Sequence, residues 1–280
     1  MDRRRLLQLG ASTALTSMLP ACSRDDGPTA GASSATMGDV DVLTYGDDSE
    51  QKAELHRPAS RSHGVVVVLH GGFWRAPYDL SLGRPLAESL TRRGWTVLNL
   101  EYRRAGNGGG FPETFDDVSD GIDLLADVDD LDTSRVITLG HSAGGHLAVW
   151  AAGRPKLDDA RWSNPRVPVT AAVSQAGVLD LRSANEDRLG DGAVEEFLGT
   201  DRATHDLADP LARVPLGVPV WCIHGRDDLH VPIEQSQTYV RAARAAGARA
   251  ALATVEGDHF SIVETTGSAW TRTLEILDEL

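Results

Sequence analysis

Apolar residues in this chain fall into short unbroken blocks, separated by longer stretches in which they recur every three or four positions. Blocks such as VVVVL at Val65–Leu69 suit strands buried on both faces, the signature of a parallel sheet. Strands are expected near Val40–Tyr45, Ala53–Arg57, Val65–His70, Thr96–Tyr102, Arg135–Gly140, Val169–Gln175, Val220–His224 and Arg249–Val255. The helical spacing falls between most of them, at Ser81–Arg93, Thr114–Val128, Ala143–Gly153, Ile233–Ala246 and Ser268–Leu280. That alternation predicts an α/β fold: a mostly parallel central sheet, helices on both faces as crossovers, and an antiparallel pair at the start. Val178–Pro215 breaks the rhythm with a longer, strongly charged insertion, expected to form helical turns over the carboxyl ends of the strands and to shape a pocket there.

Chemistry concentrates where the blocks end. Arg135–Trp150 (RVITLGHSAGGHLAVW) reads as a strand that stops at a Gly-x-Ser-x-Gly turn and restarts as a helix, which is a nucleophile elbow with Ser142 at its tip. Gly140 and Gly144 leave room for the turn, and the N–H of Ala143 points toward the place a carbonyl oxygen would occupy. A serine hydroxyl needs a base to take its proton and a carboxylate to orient that base. VPVWCIHGRDDLHVP at Val218–Pro232 supplies acidic residues at a strand end, and AALATVEGDHF at Ala250–Phe260 supplies His259. Of the nine histidines, His259 alone combines the right place in the chain with a polar turn and a following aromatic residue. His70 and His224 close strands and are expected to bond nearby backbone. His141 and His146 flank the elbow, while His56, His63, His205 and His230 read as surface residues. No spacing of His, Cys, Asp or Glu suits a metal, and no cofactor is implied. The GNGGG run at Gly106–Gly110 lacks the Lys and Ser/Thr of a phosphate loop and reads as a mobile loop.

With HGGFW at His70–Trp74, EYR at Glu101–Arg103, GHSAGGHLA at Gly140–Ala148, HGxxDxxVP at His224–Pro232 and GDHF at Gly257–Phe260, the chain over about residues 40–280 resembles the α/β-hydrolase superfamily. Within it, the motifs resemble small esterases of the feruloyl- and acetyl-esterase type and the kynurenine formamidases. The resemblance implies a Ser142, Asp228, His259 triad, since the acid of HGxxDxxVP is the fourth residue after the histidine. Asp227 is then a solvated neighbour, and Asp180 a less common alternative for the acid. It also implies an oxyanion hole built from the N–H groups of Gly72, Phe73 and Ala143. Trp74 and Phe111 are candidates for the substrate pocket, with core packing an equal claim on both.

The amino terminus, MDRRRLLQLGASTALTSMLPAC, has three arginines and an apolar stretch too short to span a membrane, and it resembles a twin-arginine signal ending in a lipobox. The expected organisation is a signal segment over 1–22, a flexible linker over 23–39 and one hydrolase domain over 40–280 with a cap-like insertion at about 178–215. Cys22 is the expected lipidation site, which would make the protein an exported lipoprotein anchored to the membrane. Cys222 is then a lone buried thiol, so no disulfide is expected. The formal charge of −14 becomes about −16 without residues 1–21 and argues against nucleic acid as a partner. The expected activity is hydrolysis of short-chain carboxylic esters, small-molecule substrates, through a Ser-His-Asp acyl-enzyme mechanism. Alternatives are a formamidase or short-peptide hydrolase on the same triad, or a noncatalytic surface binding protein.

Overall fold

Val65–Leu69 organises the sheet: all five side chains are buried, with Val65, Val67 and Leu69 facing one core and Val66 and Val68 the other. The computed structural model describes residues 40–280, so the expected signal segment, the expected linker and Cys22 lie outside the described residues. In chain order the elements are β1 (Val40–Thr44), β2 (Lys52–His56), β3 (Val65–Leu69), α1 (Arg84–Thr91), β4 (Thr96–Leu100), α2 (Glu113–Asp123), β5 (Val136–His141) and α3 (Ala143–Gly153). There follow β6 (Ala171–Gln175), α4 (Leu181–Glu186), α5 (Leu189–Leu198), α6 (Arg202–Ala208), β7 (Val220–Gly225), α7 (Glu234–Ala245), β8 (Ala250–Val255) and α8 (Ser268–Glu279). The eight strands form one sheet in the order β1-β2-β4-β3-β5-β6-β7-β8. β1 pairs antiparallel with β2 and β2 antiparallel with β4, and every later pairing is parallel. Helices α1 and α8 cover one face, and α2, α3 and α7 the other. This is the α/β-hydrolase fold.

Two expected helices are shorter than their apolar spacing suggested. Ahead of α1 the chain makes a separate 3-10 turn at Leu80–Leu82, capped by the Asp79 carboxylate on the Ser81 N–H, and the helix restarts at Arg84 with Pro85 in its first turn. α2 ends at Asp123, where the chain tightens into a 3-10 turn over Leu124–Asp127. The Gly106–Gly110 run is not loose. Asn107 accepts from the Arg104 N–H and donates to Glu50, and a Cβ on Gly109 would collide with the Arg103 backbone at 2.1 Å.

α3 is buried on every side, so it needs cover on the face turned away from the sheet. The insertion provides it through α4, α5 and α6. Two side chains of α3 bind insertion carbonyls: His146 Nε2–H donates to Ala208 O at 2.9 Å and Trp150 Nε1–H to Leu207 O at 3.1 Å. Burial lowers His146 to about 4, and its Nδ1 accepts from Trp74 Nε1–H at 3.2 Å, so the ring is neutral with its tautomer fixed.

At the end of α6, burial pushes the Asp209 carboxyl up to about 6, against the lowering effect of the Leu211 N–H that it accepts. A carboxyl raised on folding binds its proton more tightly in the native state, so its contribution falls as pH rises from about 4 to about 6 and is constant above. Asp209→Asn keeps the acceptor without the charge. Its gain in thermal midpoint over the native protein should grow across that window and level off beyond it; a gain independent of pH would contradict the assignment.

Candidate active site

β5 delivers the chain to the elbow. Ser142 adopts φ 54° and ψ −119°, a backbone conformation that a non-glycine residue holds only when its surroundings enforce it. The Ser142 N–H donates to Gln175 O at 2.8 Å, tying the elbow to β6. The glycines allow backbones to touch: a Cβ on Gly140 would lie 2.0 Å from Gly144 O, and one on Gly144 2.0 Å from Leu69 O. α3 therefore begins directly against the end of β3.

From that strand end the chain turns through Gly71 and Gly72. A Cβ on Gly71 would stand 3.0 Å from His141 O and 3.2 Å from Ser142 Cβ, so this loop lies against Ser142. Gly72, Phe73 and Trp74 all have positive φ, at 118°, 55° and 55°. Among the described residues, the N–H groups of Gly72, Phe73 and Ala143 have no protein acceptor, which leaves them free to bind an oxygen beside Ser142. Behind the loop lies a buried polar cluster. The Glu101 carboxylate receives Arg104 and the Leu80 N–H, and faces His70 Nε2 at 2.9 Å. The Tyr102 hydroxyl donates to His70 O at 2.7 Å, and its ring stacks on His70 at 4.3 Å. Burial would raise the Glu101 carboxyl, but its bonds to His70, Leu80 and Arg104 outweigh burial and hold it below the ordinary range.

On the other side of Ser142, the loops after β7 and β8 meet. Asp228 Oδ2 accepts from His259 Nδ1 at 2.7 Å, and Asp228 Oδ1 from the N–H groups of His230 and Val231 at 2.8 and 2.9 Å. Burial acts to raise this carboxyl, yet the hydrogen bonds from His259 and these N–H groups bring it below its usual value. It is therefore an anion at neutral pH. The bond at Nδ1 leaves Nε2 as the unbonded nitrogen of His259, a residue that borders the same cavity as Ser142. Asp227 is exposed, and Asp180 caps α4 by accepting from the Ser183 N–H at 3.0 Å, while the His259 Nδ1 bond goes to Asp228. His224 braces the acid loop, with Nε2–H on Val231 O at 2.9 Å and Nδ1 against Ser236 Oγ at 2.8 Å.

A cavity of about 190 Å³ adjoins Ser142, His259 and the Gly71–Phe73 loop. Its walls are largely apolar and come from β3, the start of α1 and the His259 loop, including Leu69, Tyr78, Leu82, Leu86, Phe260 and Val263. Two sequence expectations need correction here. Trp74 and Phe111 do not line this cavity: Trp74 is buried and stacked on Phe197 at 4.8 Å, and Phe111 packs against Phe115 and Trp162. Both serve the aromatic core under the insertion. Residues 178–215 also contribute no wall. Sequence reasoning missed His141, which lines the cavity, donates Nε2–H to His259 O at 2.8 Å, and is lowered to about 3 by burial and by the neighbouring His259. It missed Phe260 too, although a large aromatic directly after the histidine at a strand end was the available signal.

Residues 54–242 match the BD-FAE family model. The chain is similar to kynurenine formamidase of Drosophila melanogaster, at 26% identity over 81% of this chain and 76% of that protein. It is similar to esterase LipC of Mycobacterium tuberculosis at 28% identity over 72% of its length, but spans only 54% of that relative. Among solved structures, esterase 2 of Thermogutta terrifontis phosphonylated by sarin superposes with a TM-score of 0.71 at 25% identity, covering 87% of this chain and 94% of that one. With the family model matching most of the hydrolase domain, the chain belongs to the BD-FAE family, among the esterases of the α/β-hydrolase fold.

Proposed function

We propose that this carboxylic ester hydrolase cleaves short-chain esters through an acyl-enzyme on Ser142. The observation that carries this reading is His259, held at Nδ1 by Asp228, bordering the same small apolar cavity as Ser142, with the unbonded N–H groups of Gly72, Phe73 and Ala143 nearby. Ser142 Oγ attacks the ester carbonyl carbon as His259 Nε2 takes its proton. The N–H groups of Gly72, Phe73 and Ala143 stabilise the negative oxygen, and His259 returns the proton to the departing alcohol. Water then repeats the cycle on the acyl-enzyme. Asp228 holds the imidazole in the tautomer that keeps Nε2 available and stabilises it when protonated.

Ser142→Ala should abolish ester hydrolysis. Asp228→Asn should lower turnover by about 10³–10⁴, because it favours the wrong tautomer, while exposed Asp227→Asn should stay within about twofold of the native enzyme. The reverse ranking in steady-state kinetics would move the acid by one residue.

The small volume and apolar walls favour acyl groups of a few carbons, and the charge of the insertion, with Glu186, Asp187, Arg188, Asp191, Glu195 and Glu196, disfavours docking on an oil surface. Deformylation of N-formylkynurenine is the second reading, favoured by the similarity to the Drosophila formamidase. Specificity constants for acetyl and butyryl nitrophenyl esters should exceed those for a long-chain ester and for N-formylkynurenine. A preference of about tenfold or more for the formamide would make the second reading the right one.

We also propose that the protein is exported and anchored through Cys22. The support is the arginine run, the short apolar segment and Leu19-Pro20-Ala21-Cys22. In a bacterial host the full chain should fractionate with membranes and Cys22→Ala should not; an unmodified Cys22 by mass spectrometry would end the proposal.

A further inference from the structure

The Gly72–Trp74 segment is strained at the point where the reaction needs rigidity. Phe73 and Trp74 both sit at φ 55°, in the left-handed region that side chains with a Cβ disfavour, and such strain persists only where neighbouring groups enforce it. The Ala105 N–H on Trp74 O at 2.8 Å and His146 on the Trp74 indole hold one side, and the other neighbours belong to α5 of the insertion. The Trp74 ring stacks flat on Phe197, at 4.8 Å and 3° between planes. Arg75, the next residue, donates through Nε to Glu196 Oε2 at 2.7 Å and through Nη2 to Gly190 O at 3.0 Å. Its guanidinium carbon stands 5.9 Å from the Phe73 ring centroid. On another side of that ring is Gly190 itself, where a Cβ would fall 2.5 Å from Phe73 Cδ1 and Cε1.

We infer that α5 acts as a clamp on the oxyanion loop, with Arg75, Glu196 and Gly190 as positioning residues that hold the Phe73 N–H on the developing oxyanion. The inference rests on the reading of Gly72 and Phe73 as oxyanion donors. It gives the insertion a role other than the pocket wall it was expected to be. A lid would border the cavity and bind substrate, so its loss would raise KM. A clamp touches the back of the loop, so its loss lowers kcat and leaves KM nearly alone, because the donors act on charge that develops in the transition state. The Arg75–Glu196 pair is half-exposed and adds little to global stability, so its effect on rate can be separated from its effect on folding.

The test compares Gly190→Ala with Gly199→Ala. Both glycines have positive φ, 61° and 72°, but a Cβ on Gly199 meets nothing within 4 Å whereas one on Gly190 displaces the Phe73 ring. With p-nitrophenyl acetate as substrate, Gly190→Ala should lower kcat by about tenfold with KM within about twofold, and Gly199→Ala should keep the native kcat. Arg75→Gln should show the same split at an unchanged thermal midpoint. Native kcat in Gly190→Ala overturns the clamp. If Gly190→Ala loses more thermal stability than Gly199→Ala, Arg75→Gln decides: a lowered kcat at native KM supports the clamp, and a native kcat or a change confined to KM overturns it. Failure of the native enzyme to turn over any ester would count against the proposed function and not against the clamp alone.

Discussion

The close approach of backbones at the elbow is the constraint on which the rest of the structure depends. Gly140 and Gly144 let the end of β3, the tip of β5 and the start of α3 meet at distances no side chain would allow, and Gly71 adds a tight approach of its loop to Ser142. That contact sets the separation between Ser142 and the Gly71–Trp74 loop. It also brings the first N–H of α3, on Ala143, to the same side as that loop. Enlarging Gly140 or Gly144 would push Ser142 and the Gly71–Trp74 loop apart, and on the proposed mechanism a displacement of about 1 Å is enough to cost a large part of the rate.

Around this point the protein arranges two sets of buried charge. Behind the loop, Glu101 is surrounded by Arg104, His70 and the Leu80 N–H, so a buried carboxylate is fully bonded and stiffens the strand ends that launch the loop. On the far side, Asp228 has two backbone N–H groups on one oxygen and His259 on the other. Removing either partner of such a pair leaves an uncompensated buried charge, so these clusters are expensive to break even where they add little net stability. The insertion completes the frame from the third direction. Its carbonyls at Leu207 and Ala208 take Trp150 and His146, and α5 meets Trp74 and Arg75.

Much of this was legible in the sequence because burial on both faces leaves an unmistakable mark. VVVVL could be little other than a central strand, and GHSAGG after a second such strand located the elbow to the residue. The positions of Asp228 and His259 followed from chain order and from the resemblance of HGxxDxxVP, and the structure brings those two side chains into contact. The pocket was not legible. Its walls combine the end of β3, the residues leading into α1 and the loop after β8, segments far apart in sequence whose apolar residues look like core residues. Trp74 stood in the HGGFW motif and yet turns inward, because the positive φ at Phe73 and Trp74 reverses the chain and delivers the indole to Phe197 and His146. Periodicity carries no trace of such a reversal, nor of the ring of Phe73 held between Arg75 and Gly190.

The central claim is that Ser142 carries the acyl group during turnover. Rapid acid quench of the native enzyme with p-nitrophenyl butyrate, followed by peptide mass spectrometry, tests it directly. The account predicts a butyryl adduct on the peptide containing Ser142, formed within the first turnover and lost as substrate is exhausted. Sustained turnover with no such adduct under conditions where deacylation is rate-limiting, or an adduct on another residue that forms and decays at the catalytic rate, would contradict it.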